Sequence, residues 1–529
     1  MAEWSGKIRG ALSRAAVRTA QRAEGPPRTT QESLVEWARA HVRDRRLVVV
    51  SNREPYSHVH RNGGVRVLRN AGGLTVALDA VAQALGGVWV AHGAGDADRE
   101  TADANSRVPC PPDRPRYTLR RVWLDAADEQ LYYQGFANGA LWPLCHIVYV
   151  RPRFRQEDWE RYRDVNRRFA EAALEEAGES PSLVFIQDYH LALAAQTLRE
   201  RRPNLHLALF WHIPWPNPEV FRILPWRREL LEGMLANDLV GFHTRAHAMN
   251  FLDSVAETLE ARVDRDRLAV ERGGRRTWVR HFPICVPAEE IAAIAEAPET
   301  MARAREIQSQ LNLDGVKVLL GVDRLDYTKG IPERLDALSW MLERDPQWVG
   351  KLCFIQIAVP SRIELSEYQL LAQRTHERID EINRRFPRPG GKTVELIEAN
   401  LDFRELVPYY RLADLCAVTS LHDGMNLVAK EYVAASPDLE GALVLSPFTG
   451  AARELERAWI ASPYESGGLA DAFVAALTEA PDARRERMAA LRETVFRHNI
   501  FDWAIEVLDT ALDLNLRISA PEPTEAAGT

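Results

Sequence analysis

Lysine is nearly missing from this sequence. Six of its 67 basic side chains are lysines (Lys7, Lys317, Lys329, Lys351, Lys392 and Lys430), so arginine is the default cation and a basic cluster alone says little about function. Cysteine is scarce as well. Cys110, Cys145, Cys285, Cys353 and Cys416 are odd in number, and no two stand at CxxC spacing, which excludes a cysteine zinc site and a disulfide framework. They read as buried small hydrophobes in a reducing compartment. No apolar run reaches the roughly 18–20 residues of a membrane span, and no apolar segment follows the N-terminus as in a secretory leader. A cytoplasmic protein without a membrane or nucleic-acid partner is expected, since the formal net charge of −8 leaves no overall basic footprint. Also missing are HExxH, a Walker A loop, a Gly-x-Ser-x-Gly elbow, and G-x-G-x-x-G after the first strand, where Asn52-Arg53 stands instead. These absences argue against a zinc protease, a P-loop enzyme, a serine hydrolase and an NAD-dependent oxidoreductase.

What is present is ordinary globular material, 46% hydrophobic and 27% charged over 529 residues, enough for two to four domains. Short apolar runs alternate with helical stretches. One series comprises 47–50, 88–90, 183–186, 207–210 and 239–242. A second comprises 316–320, 353–357, 415–418 and 443–445. Continuous apolar strands with helices between them are buried on both faces, the mark of a parallel sheet. The expected fold class is α/β, with two Rossmann-like doubly wound parallel-sheet domains facing a cleft. Pro283 and Pro287 bracket the crossing between them. The expected division is an N-terminal extension 1–45, a first domain 46–283, a second domain 284–490, a C-terminal helix 491–516 crossing back, and a disordered tail 517–529. Phe501, Ile505, Leu508 and Leu512 recur at helical spacing and predict the docking face of that helix.

In such sheets ligands bind beyond the carboxyl ends of the strands. The stretch 321–330 follows a strand and holds Arg324 and Lys329, two cations able to hold a diphosphate leaving group without a metal. Alternatively, Arg324 pairs with Asp323 or Asp326. The stretch 419–431 follows another strand. A helix starting near Asn426 would present the backbone N–H groups of Met425, Asn426 and Leu427. Asp423 could accept from sugar hydroxyls and Glu431 could grip a ribose diol, or Asp423 is a helix cap and Lys430–Glu431 are solvated. Gly72-Gly73 before the apolar helix 75–85 allows a close approach to phosphate, or makes a plain turn. His212 ends a strand ahead of Pro214 and Pro216, which fix a rigid loop. Two D-x-D pairs, Asp96/Asp98 and Asp264/Asp266, sit in Arg-flanked polar segments and read as loop charge rather than metal ligands.

The segments Val49–Arg53, Ala71–Leu74, Leu141–Pro143, Gln187–His190, His212–Pro214, Arg324–Gly330 and Asp423–Glu431, in that order, resemble the trehalose-6-phosphate synthase family, retaining glycosyltransferases of family 20 and the GT-B fold. The resemblance covers about Leu47 to Phe501. It implies transfer of glucose from a nucleotide-glucose, UDP-glucose favoured, to glucose 6-phosphate, without cofactor or metal. On the donor side it implies Gly73, Arg324 and Lys329 at the diphosphate, with Leu406, Leu427 and Glu431 at the nucleoside. His212, Asp423, Met425 and Asn426 would hold the glucose. On the acceptor side it implies Arg53, Tyr133, Trp142, Asp188 and Arg362. Catalysis would rest on Arg324, Lys329, His212 and Asp423. A homo-oligomer is implied too. No D-x-D-x-[TV] motif occurs, so a separate trehalose-6-phosphate phosphatase would complete trehalose. Three departures from the family pattern stand near the site: His422 in place of Arg, Glu54 in place of an apolar residue, and a longer segment 55–70. They leave glycerol 3-phosphate open as the acceptor. A non-catalytic sugar-phosphate sensor would have lost the donor-phosphate cations, and both are present.

Overall fold

The computed structural model of the chain describes residues 29–42, 45–61, 63–69, 73–362 and 364–518. The Arg-rich stretch 1–28, Asn70–Gly72 and the tail from 519 lie outside the described residues.

Two sheets carry the molecule. The first has ten strands, and seven neighbouring ones run parallel, in the order 275–281, 239–242, 206–210, 182–187, 46–53, 88–92 and 117–122. From Arg46–Arg53 the chain first builds outward on one side, then returns to Ser182–Gln187 and builds outward on the other. The switch point therefore falls between Arg53 and Gln187. The second sheet has six parallel strands, with Lys317–Arg324 and Leu415–Val418 flanking its own switch point. A doubly wound sheet opens a crevice where its direction of winding reverses, and here the two crevices face each other. Mixed helices and large parallel sheets of this kind are the expected α/β class.

The apolar runs named from the sequence form the middles of these strands. Val48, Val50, Val184, Ile186 and Val240 are fully buried, as are Leu320 and Leu415. All five cysteines are buried and free.

Both ends of the described chain lock the sheets together. After the helix Pro481–Arg497 the chain turns at Asn499 and runs as Ile500–Ile518 onto the first lobe. Its buried stripe is Trp503, Ala504, Val507, Leu508, Ala511 and Leu512. Phe501 and Ile505, expected on that face, are only half-buried beside it. Trp503 meets Phe210 edge-on at 5.2 Å. The helix Gln31–His41 opens with a Thr30/Ser33 capping box and packs on the same C-terminal helix through its buried Leu34.

Candidate functional site

In the second lobe the strand expected over 316–320 continues to Arg324. Side chains alternate along a strand, so Asp323 and Arg324 face opposite ways. Asp323 is buried against Arg334 at 2.7 Å, and Arg334 also donates to Gln356 and Thr419. Arg324 lies over the Trp142 ring at 5.0 Å, with Asp326 3.7 Å away. Asp326 is engaged more closely by Arg362, at 3.1 Å.

Lys329 follows in a tight turn closed by Gly330 at φ 64°. A Cβ on Gly330 would lie 2.3 Å from the Thr419 carbonyl oxygen, so only glycine lets this turn approach the neighbouring loop. Across that contact Lys329 Nζ meets Asp423 Oδ2 at 2.5 Å, and Asn426 Nδ2 donates to the same oxygen at 3.2 Å. Burial would raise the Asp423 carboxyl, but Lys329 outweighs it and holds the group well below the ordinary range. Asp423 is therefore not a helix cap. The N-cap of Leu427–Ala434 is Asn426, at φ 74° and ψ 93°, and no side chain caps that end. Lys430 and Glu431 are not solvated either. Lys430 pairs with Glu454 at 2.6 Å, and Glu431 accepts from the Tyr410 hydroxyl at 2.8 Å.

In the first lobe Asp188 stands just past Ser182–Gln187 at φ 72°, a strained conformation for a residue with a Cβ. It accepts from the backbone N–H of Tyr189 and of His212. Burial pushes its carboxyl up to about 7, against the pull of those hydrogen bonds and of Arg324 and Arg362. Tyr133 and Trp142 come from an unusual element. The segment Glu129–Leu141 is a π-helix, and Trp142 opens the short helix that continues it. Such windings are rare and concentrate at functional sites. Trp142 stacks under Arg362 at 4.1 Å. Arg362, at φ 50°, crosses between the lobes to the Tyr189 hydroxyl at 3.3 Å, and its buried Nε has no protein partner. Burial would raise the Tyr133 phenol, yet Arg362, Arg53 and Arg324 together hold it below its ordinary value. Arg53, Arg324, Lys329 and Arg362 thus meet here beside Asp188, Asp323, Asp423 and Glu431, and burial raises the carboxyls of Asp188 and Glu431.

These groups surround one interlobe cavity of about 390 Å³, a volume suited to small ligands. Fourteen of the fifteen residues singled out from the sequence line it: Arg53, Tyr133, Trp142, Asp188, His212, Arg324, Lys329, Arg362, Leu406, Asp423, Met425, Asn426, Leu427 and Glu431. Gly73 is the first residue of the helix Gly73–Leu85, next to residues outside the description. The sequence named Gln187 and His190 only within the segment Gln187–His190, without a role for either, and it missed His243, which shares the wall, and Ile284, Leu401 and Phe403, which give it an apolar end beside Leu406. A strand-end position signalled Gln187 and His243; nothing in the local pattern signals 400–403.

One reading needs correction. Asp98 is not loop charge. It is fully buried, 2.6 Å from Arg121, and accepts from the backbone of His58 and Gly95. Glu54 joins the same cluster at 2.9 Å from Arg121, and burial, then Asp98, raise its carboxyl to about 9. That pair holds the base of the hairpin Tyr56–Arg61/Gly64–Arg69, which the sequence showed only as a lengthened segment. His422 donates through Nδ1 to the carbonyl of His146 at 2.7 Å, tying the lobes together. Among the described residues no group of His, Cys, Asp and Glu could hold a metal ion, and no helix is long and apolar enough to cross a membrane.

The sequence profile of Glycosyltransferase family 20 matches residues 45–513. The chain is 41% identical over 474 residues to the trehalose-6-phosphate synthase of Mycolicibacterium gilvum, covering 88% of this chain and 93% of that one. Among solved structures it resembles an alpha,alpha-trehalose-phosphate synthase (UDP-forming) from Burkholderia xenovorans in complex with glucose-6-phosphate, with 31% identity, a TM-score of 0.79 and coverage of 88% and 99%. It also resembles the E. coli protein bound with UDP-2-fluoro glucose, with 32% identity, a TM-score of 0.78 and the same coverage.

Proposed function

The chain belongs to glycosyltransferase family 20, and from that premise we propose that it transfers glucose from UDP-glucose to glucose 6-phosphate with retention, giving trehalose 6-phosphate and UDP. The observation that carries this is the cavity itself. A pair of cations on the second lobe, Arg324 and Lys329, stands at one end, and the other end is lined by Arg53 of the first lobe and by Arg362, which reaches across from the second. The named relatives are trehalose-phosphate synthases and support glucose 6-phosphate rather than glycerol 3-phosphate as acceptor.

Arg324 and Lys329 hold the donor diphosphate and stabilise the charge it gains as the anomeric bond breaks. Asp423, Met425, Asn426 and His212 hold the glucose. Leu406 and Leu427 flank the base, and Glu431 takes the ribose. Gly73 approaches the diphosphate. At the other end Arg53 and the unpartnered Arg362 Nε bind the acceptor phosphate, with Tyr133 and Trp142 as walls and Asp188 accepting from acceptor hydroxyls. The acceptor oxygen attacks from the face the diphosphate is leaving, and the departing phosphate oxygen takes its proton. Each carboxylate of the cavity is already engaged, Asp423 by Lys329, Asp188 by backbone N–H groups, Asp323 by Arg334 and Glu431 by the Tyr410 hydroxyl, which disfavours a glycosidase-like nucleophile and acid pair.

Arg324 and Lys329 supply the charge that a divalent ion would otherwise supply, so turnover should survive EDTA. The division at 283/284, with 491–516 returning to the first lobe, follows from the same reading. A cytoplasmic setting agrees with the unpaired cysteines, and light scattering of the purified chain reads whether it forms a homo-oligomer. The product keeps its phosphate, so a separate phosphatase must act on it. The decisive experiment assays UDP-, GDP- and ADP-glucose against glucose 6-phosphate and glycerol 3-phosphate, with and without EDTA, and reads the new linkage by NMR. An α,α-linked product from UDP-glucose and glucose 6-phosphate is expected. No transfer to glucose 6-phosphate from any donor would overturn the reading.

A further inference from the structure

His212 is wedged between the lobes, and both of its ring nitrogens are engaged by protein. Nε2 lies 2.9 Å from Gln187 Oε1, and Nδ1 lies 3.3 Å from His243 Nε2. An amide oxygen only accepts, so the proton at the first contact sits on His212 Nε2. A neutral imidazole carries one N–H, so His212 Nδ1 accepts and His243 Nε2–H donates. With the amide oxygen of Gln187 turned to His212, as here, the directions along Gln187–His212–His243 follow, and Gln187 Nε2 and His243 Nδ1, which has the Phe282 backbone near it, are left without a close hydrogen-bond partner.

The chain is packed as firmly as it is bonded. Phe210 lies against His212 at 4.5 Å and His243 at 5.1 Å. From the second lobe, a Cβ on Gly424 would fall 2.1 Å from the His212 carbonyl oxygen and 3.3 Å from His243 Cδ2. The loop carrying Asp423 thus rests directly on both histidines. The charged and titratable groups around His212 are Asp188, bonded to its backbone N–H at 3.1 Å, and His190. Lys430, His247 and Asp423 face His243. Burial, then its histidine neighbours, keeps His212 neutral, and burial with His247 and Lys430 lowers His243 to about 3.

We propose that Gln187 and His243 are positioning residues of the transfer: they hold His212 as a neutral imidazole, protonated on Nε2 and fixed beside the sugar. This rests on the donor-site reading above. Positive charge grows at the anomeric carbon as the diphosphate departs. An imidazolium at this wall would oppose that charge in a medium that screens poorly, whereas a neutral ring in a fixed tautomer does not.

The first test needs no turnover. In the full chain labelled with ¹⁵N-histidine, and with His212 assigned from a His212→Asn variant, His212 should show a protonated Nε2 and a bare Nδ1 throughout pH 5–8. The opposite tautomer, or an imidazolium appearing in that range, overturns the proposal. The second test uses kinetics. His243→Gln keeps an N–H donor within reach and should stay within about fivefold of native kcat. His243→Phe should lose about ten- to a hundredfold in kcat with little change in donor KM. Gln187→Glu favours the imidazolium, so its kcat should acquire an acid limb below about pH 7 that the native enzyme lacks. Equal activity of the Gln and Phe variants, with no new limb in Gln187→Glu, would also overturn the proposal. Failure of the donor-site reading would show separately, as native turnover in Arg324→Ala.

Discussion

At the scale of single residues the site divides into groups that hold charge and groups that hold geometry. Arg324 and Lys329 belong to the first. Replacing either by alanine should lower kcat by about 10²–10³, the cost of losing one preorganised electrostatic stabiliser, with far less change in acceptor KM; steady-state kinetics with both substrates checks it. Asp188 belongs to both groups. Its carboxyl is raised to about 7. Below that pH it is protonated and loses acceptor capacity, so kcat/KM for glucose 6-phosphate should fall towards tenfold per unit as pH drops under 7 and level off above it. Asp188→Asn should remove that limb at a lower plateau. The sign for stability is opposite. A folded pKa above the unfolded one means that ionisation costs stability as pH rises from the unfolded value of about 4 to 7. Asp188→Asn should therefore raise the melting temperature at pH 8, read by scanning calorimetry. At this scale the sequence was legible where strand ends are. Arg324, Lys329 and Asp423 stand just after apolar runs, and position alone marked them. Arg362, Tyr133 and Trp142 were not marked by position. Arg362 arrives on a positive-φ turn, Tyr133 on a π-helix and Trp142 where that π-helix ends, and none of these follows the 3.6- or 2-residue period that a sequence displays.

At the scale of elements, the parallel strands were legible because burial on both faces demands continuous apolar runs. The hairpin Tyr56–Arg61/Gly64–Arg69 was hidden because its outer strand is exposed nearly throughout, so no apolar alternation betrays it. The C-terminal helix was legible as amphipathic, but its docking stripe is turned toward Trp503 and Val507 rather than Phe501 and Ile505. Periodicity fixes a face only to within the width of its apolar arc, and the aromatic partners Phe210 and Phe185 decide the rest. Trp503 is the pivot of that interface. Trp503→Ala should cost about 3–5 kcal/mol, as expected for a buried aromatic truncated to alanine. Leu34→Ala, in the N-terminal helix that backs the same surface, should cost about 2–5 kcal/mol. Urea titration of each variant measures both. A site confined to the cleft predicts that Leu34→Ala leaves KM for either substrate unchanged while the fold persists.

At the scale of the whole molecule, a chain with net charge −8 brings four cations into one crevice, where burial raises two of the four carboxyls beside them, those of Asp188 and Glu431. Arg53, Arg324, Lys329 and Arg362 all line the cavity, and the three arginines hold the Tyr133 phenol below its ordinary value despite burial. Two opposed switch points explain why. Each sheet delivers its strand-end cations to the same gap, and acidic groups elsewhere keep the remaining surface from competing for anionic ligands. A cleft of this kind draws polyanionic ligands in over distances set by the Debye length, about 10 Å at 0.1 M salt and about 3 Å at 1 M. Raising potassium chloride from about 0.05 M to about 0.5 M should therefore weaken binding of both the nucleotide-glucose and the sugar phosphate several-fold. On the proposed reading the bound substrates are enclosed by Trp142, Arg362 and the Asp423 loop, where ions penetrate poorly, so kcat should change by less than about twofold over the same range. Initial-rate kinetics with each substrate varied in turn separates the two effects. A salt response confined to kcat would mean that the cations act on lobe closure, through ties such as Arg153–Glu367 and His422–His146, rather than on capture of the substrates.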